Sequence, residues 1–242
     1  MKVVILCAGL GTRLNSKKPK GLIKIKNKTL LDKCVEGFLS NGIKKKDIFF
    51  ATGFKRKLIE TKFGKKYNYA FNNKFKKTNM VYSLFTALKK ITNSDVIITY
   101  SDIIYKSSNI NKLIKNQYDI STLIDFNWKQ MWKKKNKLQE DSESLRIKDK
   151  KIIELGKPTT NIRNIDGRYV GIIRFSKKKL KKIKDIYRLS LKINKRKFEK
   201  IDMTNFLNFL IQNNFEVHSV KLSGKWNEYD DLVDLNYKYN KI

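Results

Sequence analysis

The feature that most constrains the fold is a series of short, wholly apolar runs that each end on small or acidic residues. The first, Val3-Val4-Ile5-Leu6, breaks at Ala8-Gly9-Leu10-Gly11. Two more lie within Asp47–Gly53 (Ile48-Phe49-Phe50-Ala51) and Asp95–Tyr100 (Val96-Ile97-Ile98), the latter running into Ser101-Asp102. A strand wetted on one face alternates apolar and polar residues. Unbroken runs are instead buried on both faces, the condition of strands in a parallel sheet sandwiched by helices. Between them the period changes. Leu30–Ser40 carries Leu31, Val35, Phe38 and Leu39 at helical spacing and stops at Asn41-Gly42. Lys55–Phe63 reads as a short helix and Tyr67–Asn72 as a short strand. Asn79–Ile91 reads as a helix with Leu84, Leu88 and Ile91 on one face. This β-α-β-α order predicts an α/β, Rossmann-like architecture with a mostly parallel central sheet flanked by helices.

The second half is more mixed. Ile120–Asp125, Lys150–Leu155, Tyr169–Phe175 and Phe215–Val220 read as strands, and Lys177–Tyr187 and Met203–Asn213 as helices. Trp128–Arg146 is polar and Lys-rich, and predicts a loop with a short helix, an insertion or lid. With no Pro- or Gly-rich linker and no internal repeat, residues 1–242 read as one domain with halves 1–115 and 116–242.

Charge is the other constraint. Lys and Arg number 55 against 22 Asp and Glu, a formal net charge of +33. The excess is spread from Lys2 to Lys241 rather than gathered into an Arg- and aromatic-rich stripe. It therefore reads as a solvated surface that attracts anionic small molecules, and a nucleic-acid partner is not expected. The two cysteines, Cys7 and Cys34, fall in apolar patterns and read as buried free thiols. MKVVILCAGL is too short for a secretory h-region with its cleavage site, and no stretch approaches the roughly 20 apolar residues of a membrane span. A cytoplasmic protein without a membrane partner is expected. His218, the single histidine, sits in a late strand pattern and gives little support for a catalytic His or a zinc site.

The candidate chemistry starts at the first apolar run. Ala8-Gly9-Leu10-Gly11-Thr12-Arg13 lets the backbone approach a ligand and aim N–H groups at an anion, and Gly9 and Gly11 permit the positive φ such a nest needs. Arg13 and Lys20 can add charge-assisted bonds. The segment matches neither G-x-G-x-x-G nor G-x-x-x-x-G-K-[ST], so by itself it is open between a turn and a ligand loop. Asp102 follows a buried strand at its C-terminal end, where ligands bind in open α/β sheets. Glu228 and Asp230, two residues apart, share one face of any strand they occupy.

Ala-Gly-x-Gly-Thr-Arg-Leu followed by Lys18-Pro19-Lys20 resembles the signature of nucleotidyltransferases that activate sugar-1-phosphates and small phosphorylated alcohols. Thr78-Asn79-Met80-Val81-Tyr82-Ser83-Leu84, Tyr100-Ser101-Asp102-Ile103-Ile104-Tyr105 and Trp128…Trp132 with Glu140–Leu145 resemble the subgroup that uses CTP. So do Glu154-Leu155-Gly156-Lys157, Tyr169–Ile172, Asp202-Met203-Thr204 and Lys225–Asp230.

The resemblance implies a GT-A-like domain with a nucleotide-binding half (1–115) and an acceptor-binding half (116–242). It also implies a Mg²⁺-dependent cytidylyltransferase acting on phosphocholine or 2-aminoethylphosphonate, with phosphoglutamine or a sugar-1-phosphate as alternatives. By the same resemblance Ala8, Gly9, Gly11, Thr12, Arg13, Lys20, Asn79 and Ser83 hold the nucleotide, with Lys20, Arg13 and Asp102 catalytic. Asp102 and Asp230, assisted by Glu228, hold the metal, although Asp231 is adjacent and a one-residue shift would exchange it with Asp230. Lys157 faces the acceptor phosphate, but the Glu that usually precedes such a Lys is displaced here to Glu154. Trp128, Trp132 and Tyr169 are candidates for an aromatic face toward an acceptor ammonium, and Asp141 and Glu143 for its counter-charges or a solvated loop. A degenerate, catalytically inactive nucleotide-binding protein of the same fold, or a basic nucleic-acid-binding domain, is the contrasting expectation.

Overall fold

The computed structural model describes residues 1–11, 17–130, 142–224, 226–230 and 234. Its strands in chain order begin with β1 (Lys2–Cys7), β2 (Lys24–Ile25), β3 (Lys28–Thr29), β4 (Ile48–Thr52), β5 (Asn68–Phe71), β6 (Val96–Tyr100) and β7 (Ile103–Tyr105). They continue with β8 (Ile120–Asp125), β9 (Glu143–Lys148), β10 (Lys151–Pro158), β11 (Arg168–Phe175), β12 (Val217–Lys221) and β13 (Trp226–Glu228). Nine form one sheet in the order β5-β4-β1-β6-β11-β8-β12-β10-β9. Only β11 and β10 run against the other seven, so the sheet is mostly parallel, as the apolar runs predict.

Alternation along β1 shows why those runs needed apolar residues at every position. Val4 and Leu6 point into a core shared with helices Met80–Leu88, Lys177–Ile193 and Met203–Gln212. Val3, Ile5 and Cys7 point the opposite way, into a core shared with helices Leu30–Leu39, Arg56–Phe63 and Ser107–Lys115. Successive side chains of a strand leave on opposite faces, and here both faces are covered. Helix starts are set locally. Thr29 accepts a bond from the Asp32 amide while Asp32 accepts one from the Thr29 amide, a reciprocal cap on Leu30–Leu39.

Three features depart from the sequence reading. Glu143–Arg146, the end of the segment expected to be loop, belongs to the edge strand β9, with Leu145 set against Leu155 and Ile147 against Ile152 of β10. Helix Lys177–Ile193 runs six residues past its expected end at Tyr187. A small antiparallel ribbon joins β7 to β13, pairing Tyr105 with Trp226 and Ile103 with Glu228. Strands of three residues owe their conformation to pairing and burial rather than to intrinsic preference. Among the described residues no helix is long and apolar enough to cross a membrane.

The ribbon is anchored from beneath. Trp226 is 1% exposed, and its indole Nε1 donates to buried Asp125 Oδ2 at 2.7 Å. Asn109 and Ser223 exchange two hydrogen bonds of 2.9 Å just before it. Trp226→Ala removes both a large buried ring and a buried donor, so it should cost about 3–5 kcal/mol of folding stability. Urea unfolding followed by circular dichroism measures this; a cost below about 1 kcal/mol would contradict the anchoring role.

Candidate active site

The site forms where the first loop, the end of β6 and the β7–β13 ribbon converge. Pro19 leads into a single 3₁₀ turn, Lys20–Leu22. That turn presses against β6 so closely that a Cβ on Gly21 would lie 2.6 Å from Leu31 Cγ and 3.0 Å from Ser101 Cβ. Only glycine permits this approach, and the approach aims Lys20. Its Nζ stands 2.6 Å from Asp102 Oδ2 and 2.5 Å from Asp230 Oδ1. The ribbon supplies the third charge: the Tyr229 amide donates to the Asp102 carbonyl at 3.0 Å, holding Asp230 beside Asp102 despite the long separation in sequence. Asp230's own amide is held by Asp234 Oδ2 at 2.9 Å.

The electrostatics follow from burial and like charge. Desolvation works against the Lys20 ammonium, but Asp102 and Asp230 outweigh it and hold its pKa above the ordinary value. Asp102 Oδ1 is buried and has no hydrogen-bond partner among the described residues, so one carboxylate oxygen is left without a donor. Glu228 is the third acid. Burial, then the charges of Asp102 and Asp230, push its carboxyl up to about 7, against the opposing pull of Arg168 and Lys20.

Two cavities meet over these groups. The first, of about 380 Å³, is lined by the Ala8–Gly9 loop, Gly11, Lys20, Asn79, Ser83 and Asp102. The second, of about 440 Å³, is lined by Glu143, Arg168, Tyr169, Asp202 and Thr204. Met80, Tyr100, Glu228 and Asp230 belong to both walls, so ligands in the two cavities would meet beside the carboxylates.

The expected residues are distributed unevenly. Ala8, Gly9, Gly11 and Lys20 come together as anticipated, although only Gly11 of the two glycines adopts a positive φ, at 65°. Thr12 and Arg13 lie outside the described residues, as do Trp132, Asp141 and Asp231. Asn79 lines the first cavity while capping helix Met80–Leu88, its side chain accepting from the Met80 amide at 2.7 Å. Ser83 lines it too and accepts a 2.9 Å bond from Asn72 Nδ2. Tyr169 reaches the second cavity, its hydroxyl 3.2 Å from that of Tyr100.

Two acceptor assignments do not fit this arrangement. Trp128, 1% exposed, is a core side chain beneath the sheet and presents no face to a ligand. Lys157 points outward, its side chain 61% exposed and its Nζ 2.5 Å from Glu154 Oε2, and it is absent from both cavity walls. Gly156, with φ 82°, turns β10 at this point and sends Lys157 to solvent.

The sequence reading missed Met80, Tyr100, Arg168, Asp202 and Thr204 as cavity residues. Arg168 immediately precedes Tyr169 at the start of a strand already read as apolar, which was the available signal. Cys7 also touches the first cavity, but its thiol is bonded to the Ala51 carbonyl at 3.3 Å. Burial pushes its pKa well up and that of Cys34 to about 12, so neither thiol is a nucleophile at neutral pH.

Glu228 makes the site's pH response testable. Unfolded, its carboxyl loses its proton near the ordinary 4.5; folded, it keeps it to about 7. Between those values the folded protein binds more protons than the unfolded chain, so this group makes stability fall as pH rises. In chelator-containing buffer, urea midpoints of the wild type should drop from pH 5 to 8 more steeply than those of Glu228→Gln. Parallel slopes would contradict the burial of an ionisable acid here.

The comparisons with known proteins agree with this geometry. Residues 3–129 match the MobA-like NTP transferase domain family. A CTP:phosphoglutamine cytidylyltransferase from Campylobacter jejuni is 32% identical over 257 aligned residues, which cover 100% of both chains. Two solved structures share the fold at lower identity. An inositol-1-phosphate CTP transferase from T. maritima superimposes with a TM-score of 0.75 at 17% identity, covering 98% of this chain and 92% of its own. A CTP:phosphocholine cytidylyltransferase from Streptococcus pneumoniae does so with a TM-score of 0.70 at 20% identity, covering 97% and 96%. The family match over more than half of the chain and the full-length relative at 32% identity identify it as a nucleotidyltransferase belonging to the MobA-like NTP transferase domain family.

Proposed function

We propose that the protein is a Mg²⁺-dependent cytidylyltransferase that transfers CMP from CTP to a small phosphorylated or phosphonylated acceptor and releases pyrophosphate. The observation that carries this reading is the meeting of two cavities over Asp230 and Glu228, with Lys20 and Asp102 at the mouth of the first. The triphosphate would lie along the Ala8–Gly11 loop against Lys20, and the acceptor would enter from the Tyr169 side. An acceptor phosphoryl oxygen attacks the α-phosphorus in line. A new P–O bond forms, the α–β bridging bond breaks, and pyrophosphate leaves with its electron pair. No covalent enzyme intermediate is needed; positioning and charge neutralisation carry the rate.

The residues fit a magnesium ion. Mg²⁺ is held by one or two carboxylates together with phosphates and water rather than by a protein cage. Asp102 and Asp230 are such a pair, and Asp102 Oδ1 has no competing donor. Among the described residues no group of three or more His, Cys, Asp or Glu is assembled that could hold a metal, so Glu228 does not complete a three-acid site with Asp102 and Asp230. Bound there, the ion would neutralise developing charge on the phosphates. Lys20 would hold the phosphate oxygens beside the carboxylate pair.

For the acceptor, the full-length relative at 32% identity moves phosphoglutamine ahead of phosphocholine and 2-aminoethylphosphonate. The burial of Trp128 also leaves the second cavity with tyrosine in place of a tryptophan face among the described residues, which suits a primary ammonium better than a quaternary one. Glu143 and Asp202 in that cavity are suited to such an ammonium.

The test is pyrophosphate release with CTP, Mg²⁺ and a panel of phosphoglutamine, 2-aminoethylphosphonate, phosphocholine and sugar-1-phosphates. Turnover with phosphoglutamine is expected, and Lys20→Ala or Asp102→Ala should lower it by about 10²–10³-fold. No release with any acceptor, combined with tight, salt-sensitive binding of DNA or RNA, would replace the reading with that of a binding protein. Unchanged turnover in both variants would overturn the site assignment.

A further inference from the structure

The second cavity poses a charge problem. In a chain of net charge +33, its wall carries the acids Glu143, Asp202, Glu228 and Asp230. An acceptor phosphate or phosphonate brought to this wall meets carboxylates, and Lys157 is turned outward onto Glu154. One basic residue lines the cavity among the described residues, Arg168. It opens β11, next to Gly167 and Tyr169, at the end of the strand where pairing with β8 loses its regular register between Tyr169 and Ile173. A register irregularity bends a strand and re-aims its side chains. Arg168 and Glu228 line the same cavity, so the guanidinium and the acids shared with the first cavity border one space.

We propose that Arg168 is the residue that binds the anionic phosphoryl or phosphonyl group of the acceptor, in the place the sequence assigned to Lys157. This rests on the reading of the second cavity as the acceptor site. A planar guanidinium can engage two oxygens of a phosphoryl group at once while leaving a third exposed for attack. An anion held by Arg168 would share the cavity with Glu228 and Asp230 of the common wall, and Glu143 and Asp202 are there to take the acceptor's ammonium. The fitting acceptor class is therefore zwitterionic, with a phosphoryl or phosphonyl anion at one end and an ammonium at the other.

The experiment measures acceptor and CTP binding separately, without turnover, by calorimetry on wild type, Arg168→Gln, Arg168→Lys and Lys157→Ala, using phosphoglutamine and 2-aminoethylphosphonate as probes. Steady-state constants for both substrates follow. Arg168→Gln should weaken the acceptor at least 10-fold in Kd and KM and change CTP binding less than 2-fold, with Arg168→Lys partly restoring the acceptor. Acceptor affinity kept by Arg168→Gln, or lost instead in Lys157→Ala, would overturn the assignment to Arg168 while leaving the cytidylyltransferase reading intact. A loss confined to CTP binding would show that Arg168 acts only through Glu228, and would also overturn it. A wild type that turns over neither acceptor and binds neither would overturn the functional reading itself.

Discussion

The Lys20 ammonium lies 2.6 Å from Asp102 and 2.5 Å from Asp230, and these three charges come from three separate parts of the chain. Each arrives by a different device. The close contact of Gly21 with Leu31 and Ser101 brings in Lys20, the end of the parallel strand β6 brings in Asp102, and the ribbon with β13 brings in Asp230. Two carboxylates side by side repel, and burial raises that cost, so the arrangement depends on a cation between them. In the absence of ligands Lys20 is that cation. Under the proposed function, Asp102 and Asp230 would hold a divalent ion and the same ammonium would then be free to meet phosphate oxygens.

The two cavities extend this logic into substrate handling. The first cavity combines the backbone of the Ala8–Gly11 loop and Lys20 with the carboxylates Asp102, Glu228 and Asp230. The other side is acidic apart from Arg168, although the protein as a whole is strongly basic. The global charge favours the approach of anions, while under the proposed function the local pattern would decide which part of an acceptor points where. Tyr100 and Met80, common to both walls, set the boundary across which transfer would occur.

Much of this was legible in the sequence, for identifiable reasons. Val3–Leu6, Ile48–Ala51 and Val96–Ile98 are buried on both faces, so their patterns carry the parallel half of the sheet without ambiguity. The glycine loop and Lys20 stood out through phosphate chemistry and Asp230 through the family resemblance, and the fold brings Lys20, Asp102 and Asp230 together. What was not legible depends on long-range pairing. β7 and β13 are three residues each and gain their structure only from one another. Strand β9 was hidden because its alternation, Leu145 and Ile147 among Glu, Arg and Lys, resembles the Lys-rich background of the whole chain. Trp128 and Lys157 were misassigned for a related reason. Residue type suggested a ligand contact, while burial of one and the outward turn at Gly156 of the other decided against it.

The most direct test of the account is whether Asp102 and Asp230 jointly hold a divalent ion in the presence of nucleotide. Electron paramagnetic resonance of Mn²⁺, titrated into wild type, Asp102→Asn and Asp230→Asn with and without CTP, reads this without requiring turnover or any acceptor. The account predicts a CTP-dependent Mn²⁺ site in the wild type that each substitution weakens at least 10-fold. Equal Mn²⁺ binding in all three proteins would contradict it.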